Sequence, residues 1–185
     1  MIATKFSVGQ GFGNQLFCYV TCRSLAHDKD LAFVAFGTEF FGSPKWNSNG
    51  AYFFDLNINE SKLPESKFTE IIEKDKRLYV NNSSHDKSYG CDIRGFDNAV
   101  VNCKKFSLIT GNLQSEKYFY HNKNLIKQWL KVTPDFDSYE FYGENLCVLN
   151  FRGSEYYGNK ELFLEKSYWN NAISEMKKLN SEMEF

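Results

Sequence analysis

Gly9-Gln-Gly11-Phe-Gly13-Asn14-Gln15-Leu-Phe17 separates a short mixed run, residues 1–8, from residues 16–26, where Leu16, Val20, Arg23 and Leu25 recur at roughly helical spacing. The stretch reads as a strand, a glycine-rich turn and a helix. Alternating glycines leave bare backbone N–H groups at the positive end of a helix, which suits an anion, phosphate above all. Asn14 is placed to be the N-cap, because its side chain can accept from a first-turn N–H. A plain βα turn is one alternative, in which the glycines serve positive φ and close strand–helix packing. A dinucleotide fingerprint is another, with Glu39 after the apolar residues 31–36 as the ribose-binding acid. Its third glycine position falls on Asn14 counted from Gly9 and on Leu16 counted from Gly11, so the register fails.

Two further segments place polar residues where strands stop. Residues 106–109 read as a strand, followed by Gly111-Asn-Leu-Gln114-Ser115-Glu-Lys117-Tyr118-Phe119. A turn at Gly111 would present Gln114, Ser115 and Lys117 near a strand's carboxyl end, the edge that binds ligands in α/β sheets. The alternative is that they cap the helix expected over residues 122–130. Residues 146–149, Leu-Cys-Val-Leu, form a continuous apolar run of the kind found in buried parallel strands. They lead into Asn150-Phe-Arg152-Gly-Ser-Glu155-Tyr156.

Gly11-Phe-Gly-Asn-Gln-Leu-Phe17, with Tyr19 and Arg23-Ser-Leu-Ala26, resembles the opening motif of the bacterial α-1,2-fucosyltransferases, glycosyltransferase family eleven. That motif typically reads Gly-Gly-Leu-Gly-Asn-Gln-Met/Leu-Phe; here Gln10 replaces the first glycine and Phe12 the leucine. The Gly111 segment is similar to the family's Gly-Tyr-Phe-Gln-Ser-Glu-Lys-Tyr-Phe. The third segment is similar to His-x-Arg-Arg-Gly-Asp-Tyr. Asn150 stands for the histidine, Arg152 for the first arginine, Gly153 for the second, Glu155 for the aspartate, and Tyr156 matches.

The resemblance implies an α/β fold: a Rossmann-like N-terminal, acceptor-side domain over residues 1–140 of a two-domain GT-B-type transferase. Residues 141–185 would then be the first β-α unit of the C-terminal nucleotide-sugar domain. It implies inverting transfer of fucose from GDP-fucose to a sugar hydroxyl of a glycan acceptor, in α-1,2 linkage, for surface glycan synthesis. Arg152 is the implied catalytic residue, holding the donor diphosphate, with Asn150 and Glu155 beside it as donor-binding residues. Gly11, Gly13, Asn14 and Gln15 form the ligand loop, and Gln114, Ser115 and Lys117 lie on the acceptor side. No metal and no cofactor beyond the donor substrate is implied. A transferase for another nucleotide sugar, suggested by Asn150 and Gly153, stays open, as does a non-catalytic sugar-binding remnant.

The chemistry suits an arginine. Transfer breaks the bond between the anomeric carbon and the β-phosphate, and negative charge builds on the leaving diphosphate. A guanidinium offers paired donors and stays charged at any working pH. One well-aimed donor can lower such a barrier by about 3 kcal/mol. Asn150 takes up no proton at neutral pH, so it is no general base, though its amide can hydrogen-bond a hydroxyl.

Charge excludes other classes. The 22 basic and 23 acidic side chains are spread along the chain, which offers no concentrated basic face for nucleic acid. The charged cluster in residues 70–77 reads as a solvated helix end. No apolar stretch approaches a membrane span, and the N-terminus lacks a signal-peptide pattern. A cytoplasmic protein is expected, peripheral at most at a membrane carrying its acceptor. The five cysteines are odd in number and form no C-x-x-C pair, so they read as small core residues in a reducing compartment. His27, His85 and His121 lack paired ligand spacing. Asp28-Lys-Asp30 and Asp135-Phe-Asp137 read as turn acids.

The remaining expectations concern organisation. Residues 37–54 are dense in aromatics, among them Phe40, Phe41, Trp46 and Phe54, either as a stacking platform for a sugar or as packing over the sheet. Residues 78–80 read as a short strand, and Pro134-Asp-Phe-Asp-Ser138 as interdomain punctuation. Trp169, Ala172, Ile173 and Met176 mark one stripe of a late helix. The chain stops at Phe185, where the resembled family begins its next strand, so a longer protein cut inside its second domain is expected.

Overall fold

Ile2–Lys5 forms β1, whose first three residues are buried. In the computed structural model, which describes residues 1–7, 10–42, 54, 56, 58–74, 76–77, 91–92, 96–133, 143–151 and 164–185, this strand lies inside a four-stranded sheet. Its neighbours are β2 (Phe33–Phe36) and, on the other side, β6 (Ser107–Thr110); β3 (Thr69–Ile72) closes the far edge against β6. Every pairing is parallel, with Ile2 opposite both Phe33 and Ser107, and Thr69 also opposite Ser107. Parallel neighbours need crossover connections. The first is α1 (Phe12–Asp28), between β1 and β2. Between β3 and β6 come a two-stranded antiparallel ribbon, β4 (Lys76–Arg77) with β5 (Cys91–Asp92), and the short α2 (Asn98–Val101). α3 (Lys123–Trp129) follows β6. The expected α/β class is thus met by a parallel sheet with helices.

Strand alternation sorts the core. Ile2, Phe6 and Ile109 join Cys18, Tyr19, Cys22, Leu25 and Ala26 of α1 in the main cluster. Ala3, Val34 and Leu108 form a smaller one with Met1, Phe36 and Phe68. Nine residues of α1 are buried, from Gln15 to Ala26. Its seam is Gln15, Cys18, Tyr19, Cys22, Leu25 and Ala26, which are all under 3% exposed. The expected stripe through Leu16 and Arg23 is offset from it: those two are only half-buried. Cysteine, tyrosine and glutamine carry little weight in a hydrophobic count, yet they face the sheet here.

Burial makes the cysteines of α1 poor nucleophiles. Desolvation pushes the Cys18 thiol up to about 11, against a weaker opposing hydrogen bond from Gln10. Burial raises Cys22 well above the usual thiol range too. Both should resist dithionitrobenzoate at pH 8 in the native chain and react on addition of denaturant, because only the thiolate attacks. Fast native labelling of either residue, located by mass spectrometry, would contradict this packing.

The chain divides into two compact units, Met1–Phe136 and Asp137–Phe185. In the second, α4 (Lys166–Leu179) half-buries Trp169, Ala172, Ile173 and Met176 while their helical neighbours are exposed, as the spacing predicts. Leu146 bridges Glu184 in parallel, supported by Cys147 N–H to Glu184 O and Glu184 N–H to Asn145 O, both 2.8 Å. The expected buried strand over residues 146–149 is not formed: Val148 is 80% exposed. A parallel strand is buried only with partners along its length, and the described residues of this unit supply one rung. Residues 78–80 and 134–138 lie outside the described residues.

The cluster over residues 70–77 is not a solvated helix end. Its first three residues complete β3, and Glu73 is buried at 7% exposure. Sheet pairing with β6 overrides the local charge density.

Candidate functional site

β1 and β6 run side by side with Thr4 opposite Ile109, so their carboxyl ends reach the same edge of the sheet. The glycine-rich turn leaves β1 there, and the Gly111 segment leaves β6 there. About a hundred residues apart in sequence, the two meet repeatedly. Gln114 donates its side-chain N–H to Asn14 Oδ1. Phe17 and Phe119 pack with ring centroids 6.1 Å apart. The Cys18 thiol donates to the Gly111 carbonyl at 3.2 Å and accepts from Gln10 Nε2 at 3.3 Å, tying both loops from beneath. Thr21 Oγ1 lies 3.5 Å from the Leu113 carbonyl, long for a hydrogen bond. Gln10 Oε1 is buried without a hydrogen-bond partner among the described residues.

α1 begins earlier than expected. Gly11 is its N-cap, with φ −62° and ψ 148°, and among the described residues no side chain caps the helix. Asn14 therefore lies inside the first turn and is not the cap; its carbonyl oxygen is engaged by Gln114 instead. Gly11 does not use left-handed backbone, and among the described residues a Cβ added at Gly11 or Gly13 would meet nothing within 4 Å. Neither positive φ nor crowding by the described residues demands these two glycines. They leave open space beside the uncapped first-turn N–H groups, which is what close approach of a ligand to backbone requires.

Gln15 serves the fold. It is 1% exposed; its Nε2 donates to Phe40 O and its Oε1 accepts from Gly42 N–H, both at 2.8 Å. That amide pins residues 40–42 over the end of β1, where Phe41 packs on Phe6 at 4.7 Å and on Phe12 at 5.5 Å. Phe54 approaches Phe12 at 6.2 Å. The described part of this aromatic segment thus follows the packing alternative; residues 43–53 lie outside the described residues.

On the second loop, Gln114 and Ser115 are half-buried and Lys117 is exposed. None of them caps α3. Asn122 occupies that N-cap, without a side-chain bond to the first turn, and two short 3-10 turns, Glu116–Tyr118 and Tyr120–Asn122, intervene. Asn122 instead bonds Ser24 and Asp28 of α1 at 2.6 and 2.7 Å, and Arg23 lies over the Trp129 ring at 4.5 Å, so α3 is latched to α1.

Sequence reasoning missed what lies under this loop. Glu73 Oε2 accepts from Leu113 N–H at 2.7 Å, and Oε1 accepts from the Tyr118 hydroxyl at 2.9 Å. The Tyr118 oxygen in turn accepts from Asp97 N–H at 2.6 Å, and burial raises the Tyr118 phenol above its usual range. Leu113 is fully buried yet has φ +51°. Left-handed backbone at a branched residue costs about 1–2 kcal/mol and persists only where surroundings over-determine it. The only sequence trace of Glu73 is an acid directly after Ile71 and Ile72.

Asp97 shows how the loop is anchored at its far side. Its carboxylate accepts from Lys74 N–H at 3.0 Å and, as the N-cap of α2, from Ala99 N–H at 2.8 Å. These bonds favour the ionised form and hold its pKa below the ordinary 3.8. A depressed carboxyl pKa gives stability that is present above 3.8 and is lost as pH falls through the folded value. The thermal midpoint should therefore decline on acidification below about pH 4, and Asp97→Asn should flatten that part of the profile. An unchanged acid limb in the variant would remove Asp97 from it.

In the second unit, Asn150 is exposed; Arg152 and Glu155 lie outside the described residues, as does Gly9. Among the described residues no group of three or more His, Cys, Asp and Glu side chains is placed to hold a metal, and no helix is long and apolar enough to cross a membrane. Compared with protein-family models, curated proteins and solved structures, the chain gives no match.

Proposed function

We propose that this chain carries an inverting nucleotide-sugar transferase activity, moving fucose from GDP-fucose to a hydroxyl of a glycan acceptor in α-1,2 linkage. The supporting observation is the meeting of Asn14 and Gln114 at the sheet's carboxyl edge, beside two glycines that no described neighbour crowds. Both motifs of the fucosyltransferase resemblance that fall in the first unit converge there. In this reading residues 1–140 are a Rossmann-like acceptor domain of GT-B type, and residues 141–185 belong to the donor domain. Gly11, Gly13 and Asn14 line the ligand loop, with Gln114, Ser115 and Lys117 as donors and acceptors for acceptor hydroxyls. Gln15 supports that loop from below.

In the proposed reaction the acceptor oxygen bonds to the anomeric carbon, the bond from that carbon to the β-phosphate oxygen breaks, and GDP leaves. The hydroxyl proton passes to solvent water, and the configuration at the anomeric carbon inverts. Arg152 would neutralise the departing diphosphate, with Asn150 and Glu155 orienting donor and guanidinium.

Calorimetric titration of the purified chain with GDP, GDP-fucose and lactose, together with a radiochemical transfer assay, tests the reading. Binding of lactose with transfer from GDP-fucose supports it. Lactose binding without transfer reduces it to a sugar-binding domain. Saturable binding of NAD with no binding of any of the three would replace it.

A further inference from the structure

Glu73 emerges from the end of β3 with its N–H on Thr110 O at 2.8 Å, and its side chain turns under the neighbouring loop. Its two carboxylate oxygens go to the two ends of one segment: Leu113 N–H and the Tyr118 hydroxyl. Between those anchors lie Gln114, Ser115 and Lys117. Gly111 makes room for this, since a Cβ there would stand 2.6 Å from Glu73 Cβ. The residue held most directly, Leu113, is the one in left-handed backbone, immediately before Gln114. A strained residue tied by a buried acceptor next to a side chain that crosses to another element is a positioning arrangement. Leu113 N–H can only donate, whereas the Tyr118 hydroxyl can also accept, so a carboxamide could keep both bonds and only loss of the side-chain oxygens releases Leu113.

We propose that Glu73 is a positioning residue for the ligand site: it holds Leu113 in its left-handed conformation so that Gln114 reaches Asn14 across the sheet edge. Its functional arm rests on the acceptor-side reading above.

The test uses the ¹⁵N-labelled full chain and reads the side-chain NH₂ pair of Gln114, with Asn14→Ala as the reference for a released amide. Glu73→Ala, which removes both acceptor oxygens, should move the Gln114 pair to the Asn14→Ala position and weaken lactose binding by about tenfold or more. Tyr118→Phe, which leaves the Leu113 bond intact, should move it part of the way. A purely structural role would lower the melting midpoint without moving that pair. If Glu73→Ala does not fold, Tyr118→Phe decides alone. A folded variant whose Gln114 pair stays at the wild-type position overturns the proposal. A wild-type chain that binds no lactose overturns the acceptor reading, while the Gln114 signal still decides whether Glu73 sets that side chain.

Discussion

Replacing Arg152 by alanine should lower fucose transfer from GDP-fucose by about 10²–10³-fold, the usual loss when one preorganised donor to a developing anion is removed. The melting midpoint should not change, because the guanidinium is proposed to act on the leaving group rather than on the fold. The loss should fall on turnover more than on lactose affinity, since charge develops on the diphosphate only as the bond breaks. Lysine at this position should recover part of the rate: it keeps the charge but not the paired planar donors. Equal turnover in wild type and Arg152→Ala would take this residue out of the reaction and, with it, the main chemical support for a transferase.

Gly111→Ala should cost about 3–5 kcal/mol, read as a lower urea midpoint at unchanged slope. Two effects add. Gly111 has φ +150°, a conformation open in practice to glycine alone, and the new Cβ would lie 2.6 Å from Glu73 Cβ and 2.8 Å from Glu73 Oε2. Relief by moving Glu73 would break its bonds to Leu113 and Tyr118, each a buried hydrogen bond. The same substitution at Gly13 should have the opposite sign, a gain of roughly 0.5–1 kcal/mol, because the site is helical and open and the unfolded chain loses freedom. If Gly13 is kept for ligand approach, Gly13→Ala will be more stable and bind GDP, GDP-fucose or lactose less well. A neutral Gly111→Ala would mean that the Glu73 carboxylate does not hold this loop.

Local pattern and tertiary context divide at identifiable residues. The strand-turn-helix around Gly11 was readable because a short mixed run, alternating glycines and a helical period follow one another within thirty residues. The strand before Gly111 and the stripe Trp169, Ala172, Ile173 and Met176 were readable for the same reason: each is a periodic signal carried by adjacent residues. Asn14 misled because capping chemistry is local, yet the helix start moved three residues earlier, to where Gly11 supplies extended backbone. Residues 146–149 misled because an apolar run gives burial potential but no partner strand.

From the sequence came the strand-turn-helix that opens the chain and, through the resemblance, the expected α/β class, because these are patterns carried by adjacent residues. The sequence also nominated Gly11, Gly13, Asn14 and Gln114. Only the tertiary structure decided that β6 lies beside β1, bringing Gln114 to Asn14, that Gln15 holds the Phe40 turn, and that Glu73 lies buried beneath Leu113. Those are contacts between residues 25 to 100 positions apart. Chain closure over such distances is set by the whole sheet and leaves no periodic trace in the residues it joins.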